Sequence, residues 1–251
     1  MSDTLTQPVL QQILGKHPIR LKLVIGNKNY SSWSMRPWLV LKAFAIPFEE
    51  IRIPLRQPDT TSRIAEISAA GKLPILIDHE LTVWDSLAIC EYLAEQFPDR
   101  HLWPARTDAR AIARSICAEM HSGFTGLRTA MSMDIRGRYP GKGRTAEAQA
   151  DIARVCEIWE ECLSQFGHHE FLFGDFSIAD AFYAPVVMRF VSYQVPLAPA
   201  LQAYADRVRE HPAVAEAAVV GVPSDAWGET PVAFVAVRGN VEPETIRTFV
   251  N

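Results

Sequence analysis

Residues 21–45 read LKLVIGNKNYSSWSMRPWLVLKAFA, and the order of their chemistry decides the fold. Leu21–Ile25 is an apolar run of strand length, GNKNYSSWS is turn chemistry, and from Met35 to Ala45 the apolar residues recur at helical spacing. Downstream, Phe48–Pro54 (FEEIRIP) alternates as a second strand, Leu73–Ile77 (LPILI) is a third, and Leu81–Trp84 (LTVW) is a short fourth. Asp78, His79 and Glu80 make the turn between the last two. Three adjacent residues in a tight turn cannot all face one ion, so this trio reads as a hairpin tip rather than a metal site. A helix starts at Asp85-Ser86 and runs to about Phe97, with Ile89, Cys90 and Leu93 on one face. The order β-α-β, an irregular helical link, then β-β-α predicts a small mixed sheet with helices on its faces over residues 20–100.

The proline-bearing HLWPARTD (101–108) reads as an interdomain linker. Beyond it Ile112, Ile116, Met120, Phe124 and Leu127 repeat at helical spacing, and DIRGRYPGKGR (134–144) interrupts. Ile152, Val155, Cys156, Trp159, Cys162, Leu163 and Phe166 then form a second stripe. Phe176–Asp180 opens another helix, and Leu201, Tyr204 and Val208 mark a last one. Residues 106–211 are therefore expected to be all-helical. From Ala213 valine and alanine dominate, and AEAAVVGVP and TPVAFVAVR read as two strands joined by a SDAWGE turn. Residues 1–19 are a polar lead-in.

Composition excludes several classes. Net charge is −4, with no basic block of the kind that phosphate binding needs, so nucleic acid is not expected as a partner. No apolar run approaches the roughly 20 residues that span a bilayer. The first residues lack the basic start and apolar stretch of a secretory signal. Cys90, Cys117, Cys156 and Cys162 form no CxxC pair and read as buried, reduced thiols of a cytoplasmic protein. No metal is expected.

Four local features carry chemistry. Ser31 and Ser32 precede the first helix, where unpaired N–H groups and a partial positive charge would stabilise a thiolate, and a hydroxyl would add a hydrogen bond to its sulfur. Gly71-Lys72-Leu73-Pro74 opens a strand. A cis bond before Pro74 would leave the Leu73 backbone free to pair with a peptide-like ligand. At Asp85-Ser86 the hydroxyl and adjacent N–H groups suit a carboxylate, and Asp85 suits an ammonium. Ser177-x-x-Asp180 is a capping box and is read as structural.

In this order the segments LVIGNKNYSSWSMRPWLVLKA, GKLPILID, the WDS of residues 84–86 and FSIADAFYAP resemble the glutathione S-transferase superfamily over about residues 20–211. The serine-type bacterial members are the nearest in pattern, and SSWS is similar to the SSC motif of the zeta class. The resemblance implies a thioredoxin-like α/β domain followed by an all-α bundle. It implies glutathione as co-substrate, held by Lys72, Leu73, Pro74, Asp85 and Ser86, and a homodimer acting on a small electrophile. Spacing from Arg36 points to Ser32 as the thiol ligand, whereas the SSC pattern points to Ser31. Trp33 stands where that motif has cysteine, which argues against chemistry that relies on the cysteine. Trp33 and Arg136, and more weakly Arg138, Trp38, Phe124 and Tyr183, are candidates for the acceptor pocket.

The last segment, 211–251, is similar instead to the opening of the C-terminal domain of AMP-forming ligases, above all in HPAVAEAAVVGVP and the WGE turn. The catalytic lysine of that family lies further on, so no adenylation is expected, and the junction reads as a fusion.

Overall fold

Leu21–Ile25 is β1, with Leu21, Leu23 and Ile25 buried on one face of the sheet and Val24 on the other, as the two-residue period of a strand requires. The computed structural model describes residues 20–167, 170–218, 220–224 and 228–232; the lead-in over 1–19 and the end of the second tail strand lie outside them. After β1 come α1 (Ser32–Ala43), β2 (Phe48–Arg52), α2 (Thr60–Ala65), β3 (Ile75–Asp78), β4 (Leu81–Trp84) and α3 (Ser86–Gln96). The sheet order is β2-β1-β3-β4, with β1 and β2 parallel and β3 and β4 antiparallel to their neighbours. Val24, Ile53, Ile64 and Ile75 form a small core under α2, while α1 and α3 cover the opposite face within the main core. This is a thioredoxin-like domain.

Two strands are shorter than their apolar patterns. β2 stops at Arg52, before Pro54, and β3 begins at Ile75, after Pro74, because proline brings no N–H to a ladder. Asp78 closes β3 as a buried acceptor for Arg20 and, at 2.6 Å, for Tyr92 Oη, while His79 is exposed at the turn with φ 55°.

The second half is helical: α4 (Thr107–Ser122), α5 (Thr125–Ala130), α6 (Ala146–Cys162), α7 (Ile178–Tyr193), α8 (Pro199–Glu210) and α9 (Pro212–Ala218). The repeat from Ile112 to Leu127 is not one helix. Gly123 is extended and Phe124 sits at φ 54°, so Phe124 reaches the core from a turn at a position that mimics helical spacing.

Helix α7 is buried on nearly every side and is the axis of this half. Ser177 caps it, accepting from Ala179 N at 3.2 Å, and Asp180 reaches back to Ser177 N at 2.9 Å. Trp159 of α6 packs on Tyr183, Phe190 and Tyr204. α1 and α7 pack against each other, which joins the halves through one continuous core.

Helix α9 belongs to this body. Ala213, Val214 and Ala217 are buried in the main core, and Glu216 Oε1 meets Lys42 Nζ of α1 at 2.7 Å. An antiparallel pair, β5 (Val220–Ser224) and β6 (Gly228–Val232), follows. The molecule is thus a thioredoxin-like domain plus an all-α bundle, with a short β tail. No described helix is long and apolar enough to cross a membrane, and no group of metal-ligating side chains occurs among the described residues.

Candidate active site

The first turn of α1 is built by serines. Ser31 is the N-cap residue, and its Oγ donates to Ser34 Oγ at 2.8 Å, which in turn accepts from Gly26 N at 3.1 Å. A Cβ at Gly26 would lie 2.7 Å from Leu55 Cδ1 and 3.0 Å from Ser31 Oγ, so a larger residue there would have to displace the Leu55 side chain and crowd the Ser31 hydroxyl. The Ser32 hydroxyl instead accepts from Arg189 Nη2 of α7 at 3.3 Å. Both serines are buried, yet both line the same cavity.

Leu73 and Pro74 are joined by a cis peptide bond. Ladder pairing starts only at Ile75, opposite Val24 and Trp84, so the Leu73 backbone lies outside it. Next to it α3 begins. Asp85, at φ 78° and ψ 133°, caps that helix through Oδ1, which accepts from Leu87 N at 2.8 Å and Ala88 N at 3.2 Å. Its Oδ2 lies 2.6 Å from His121 Nε2 at the end of α4. The Ser86 hydroxyl is buried without a hydrogen-bond partner although it borders a cavity. A buried hydroxyl left unsatisfied beside open space is a ready contact for a bound polar group.

These features border two adjoining lobes of one cleft between the halves. The first, about 530 Å³, is lined by Ser31, Ser32 and Leu73 among others. The second, about 550 Å³, is lined by Leu73, Pro74, Asp85 and Ser86. Trp33, Lys72, Leu73 and Arg128 border both lobes. The seven residues expected for thiol and tripeptide therefore come together, with Trp33 as a shared wall.

Arg136 and Arg138 line neither lobe. Arg136 N donates to Asn29 Oδ1 at 3.1 Å, and Arg138 Nη1 donates to the Ile135 and Gly137 carbonyls at 3.1 and 2.8 Å. With Asn29 Nδ2 donating to Asp134 Oδ1 at 2.9 Å, this loop is pinned to the turn before α1. Trp38, Phe124 and Tyr183 are core residues.

Three other arginines surround the site, and the sequence reading assigned none of them to the cleft. Arg36 of α1 is fully buried, its Nε and Nη1 without hydrogen-bond partners, its guanidinium 4.1 Å from the Trp33 ring centroid and 4.7 Å from that of Phe182. Arg128 of α5 stands 4.9 Å from the Trp33 centroid and donates to the Gly123 carbonyl at 2.9 Å. Arg189 donates to the Met131 and Pro185 carbonyls at 2.8 and 3.1 Å besides Ser32. Burial and then the charge of Arg189 lower Arg36 to about 9; burial and then Arg128 lower Arg189 to about 10. Both stay charged near neutral pH. The cysteines are poor nucleophile candidates: burial pushes the thiols of Cys90 and Cys117 well up, and that of Cys162 to about 12.

Comparison with known proteins agrees with this geometry. The family model for the glutathione S-transferase N-terminal domain matches residues 30–96, and that for the C-terminal domain matches 142–215. A probable maleylacetoacetate isomerase of Caenorhabditis elegans is 26% identical over 172 residues, 68% of this chain and 79% of that protein. A glutathione S-transferase of Escherichia coli (strain K12) is 24% identical over 80% of this chain and 99% of its own length. A glutathione transferase homolog from Burkholderia, solved with bound glutathione, superposes with TM-score 0.61 at 26% identity, over 78% of this chain and 95% of that one. The tail matches another family, the AMP-binding enzyme C-terminal domain, over 206–251. A 2-succinylbenzoate–CoA ligase of Bacillus cereus (strain ATCC 10987) is 59% identical over 39 residues, 16% of this chain but 8% of the ligase. With both halves matched by one family, and with the sheet, the bundle and the cleft between them in place, the chain belongs to the glutathione S-transferase superfamily.

Proposed function

We propose that the cleft binds reduced glutathione and transfers its sulfur to an electrophilic carbon, with a serine at the mouth of α1 holding the thiolate. The observation that carries this reading is that three polar positions border one cleft: the partnerless Ser86 hydroxyl, the Leu73 backbone outside the ladder, and the serine pair at the start of α1. A tripeptide laid along them meets each with matching chemistry. The carboxylate of its γ-glutamyl end meets Ser86 and the N–H groups opening α3, and its ammonium meets Asp85. Its cysteinyl backbone pairs with Leu73, and Lys72 lies beside the glycyl end. Its sulfur reaches Ser31 or Ser32.

At that point the start of α1 supplies partial positive charge and the serine a hydrogen bond, and both favour thiolate over thiol. The thiolate forms a carbon–sulfur bond, and the leaving group departs with the bonding pair. Ser32 is the stronger of the two serines, because Arg189 Nη2 already donates to its Oγ and leaves the hydroxyl proton available for sulfur. Ser31 spends its proton on Ser34. A cytoplasmic homodimer is the working assembly in this reading.

The relative named as a probable maleylacetoacetate isomerase favours a second reading, glutathione-dependent isomerisation, in which sulfur adds to the substrate and later leaves. Trp33, in the place of the cysteine of the motif, weighs against a mechanism that needs a second thiol. Calorimetry with reduced glutathione tests the binding, and the ultraviolet absorbance of bound thiolate tests its ionisation. The thiolate band is expected for the wild-type protein and lost in Ser32→Ala; a band retained in both Ser31→Ala and Ser32→Ala would overturn the serine role.

A further inference from the structure

The geometry points to an anionic second substrate, an electrophile carrying a carboxylate, seated in the lobe between Ser32 and Arg128. This rests on the glutathione reading and narrows it. The lobe beside the serines is lined by Arg56, Lys72, Arg128 and Arg189, with no aspartate or glutamate among its lining residues. Arg36 lies behind Trp33, buried and partly without hydrogen-bond partners. Neither Arg36, Arg128 nor Arg189 forms an ion pair among the described residues; the hydrogen bonds of Arg128 and Arg189 go to carbonyls and a hydroxyl, none to a carboxylate.

Charge accounting then decides the occupant. Arg56, over the Tyr30 ring, and Lys72, next to Leu73 in the chain, are exposed and line this lobe, where they can meet the glycyl carboxylate of the tripeptide. The thiolate supplies one negative charge next to Ser32 and Arg189. Three guanidiniums, two against Trp33 and one on Ser32, still exceed that single charge, and like charges gathered in a low-dielectric wall repel one another. A neutral aromatic acceptor would leave the excess uncompensated. A carboxylate in the same lobe accepts charge-assisted hydrogen bonds from Arg128, the more accessible of the three, whose planar fork suits it.

The test compares a carboxylate with its neutral amide of the same shape. Calorimetry on the full-length protein saturated with S-methylglutathione measures para-nitrobenzoate against para-nitrobenzamide. The carboxylate is expected to bind about tenfold more tightly, and Arg128→Met to bring the two affinities close together. Arg128→Lys, which keeps the charge without the fork, should retain part of the preference, and circular dichroism checks that both variants fold.

The kinetic counterpart uses para-chloro-meta-nitrobenzoate and its amide, each rate divided by its own uncatalysed rate with glutathione. Sulfur forms a bond to the ring carbon that bears chlorine, the carbon–chlorine bond breaks, chloride leaves with the bonding pair, and the thiol proton passes to solvent. The carboxylate should be accelerated more. Equal or weaker binding of the carboxylate would overturn the anionic acceptor while leaving glutathione in place. Failure of S-methylglutathione itself to bind would remove the reading beneath it.

Discussion

Asp180→Ala takes away the acceptor on which four donors converge. Leu172 N and Tyr204 Oη donate to Oδ1, each at 3.1 Å, and Ser177 N and Ser177 Oγ donate to Oδ2 at 2.9 and 3.1 Å. The site is fully buried, so water does not replace the carboxylate. Two orphaned backbone N–H groups cost about 1–3 kcal/mol each, and the hydroxyls, which can rotate, add less. Burial also raises the Asp180 carboxyl to about 6, so its ionised form is held near neutral pH at a cost of about 3 kcal/mol, which alanine avoids. At the middle of their range the donors outweigh that relief, leaving a net loss of roughly 1–3 kcal/mol and a fall in Tm of about 3–10 °C for a chain of this size. Urea unfolding followed by tryptophan fluorescence measures it, Trp159 lying beside Tyr204. The pH dependence adds a signature. Because the folded state raises this pKa, it binds the proton more tightly than the unfolded chain, so the contribution of Asp180 to stability grows as pH falls through about 6 and is lost as pH rises through it. The gap between wild type and variant should widen by about 1 kcal/mol from roughly pH 7.5 to pH 5. A variant within about 1 kcal/mol of wild type, or a gap that narrows on acidification, would refute the reasoning.

Ser32→Ala is expected to lower the conjugation rate by about 10- to 100-fold through loss of a hydrogen bond to the thiolate, with Ser31→Ala milder, both measured as kcat/KM. Of the four cysteines, only the half-buried Cys156 should react with a disulfide reagent in the native protein, and slowly; all four should titrate after denaturation, and a fast native thiol would contradict their burial. A chain ending at Glu210 loses the buried Val214, Ala213 and Ala217 and the Lys42–Glu216 pair, and should be roughly 2–4 kcal/mol less stable than one ending at Ala218 by chemical denaturation.

The sheet and its order of strands and helices were readable because their residues obey local rules. Leu21, Leu23 and Ile25 alternate with the strand period, and Ser177 with Asp180 declares a helix start in four residues. What failed was the placement of a break. Phe124 keeps helical spacing while occupying a left-handed turn, a conformation that periodicity does not encode and that the adjoining Gly123 only hints at. The tail shows the same gap at a larger scale. HPAVAEAA reads as the start of a ligase module, yet Ala213, Val214 and Ala217 pack into the transferase core. The two family matches overlap between residues 206 and 215, so one short apolar helix satisfies both patterns.

The candidate site divides along the same line. Ser31, Ser32, Leu73, Pro74, Asp85 and Ser86 stand at element boundaries, where a sequence carries turn and cap chemistry, and the expectation for each could be written from its neighbours. Arg189 and Arg128 could not, since each meets Ser32 or Trp33 only after α7 and α5 fold against α1. Arg189 also sits in a helix so apolar that a sequence reading treats it as an exception to be tolerated rather than a side chain aimed at a cleft. The exposed DIRGR loop drew the expectation of anion binding, yet Arg136 and Arg138 line neither lobe of the cleft: the Arg136 backbone N–H is tied to Asn29, and the Arg138 guanidinium donates to local carbonyls. A buried cation without a carboxylate partner is a stronger pointer to a ligand than a cluster of cations on a loop, because only the first carries an energetic cost that a bound anion would relieve.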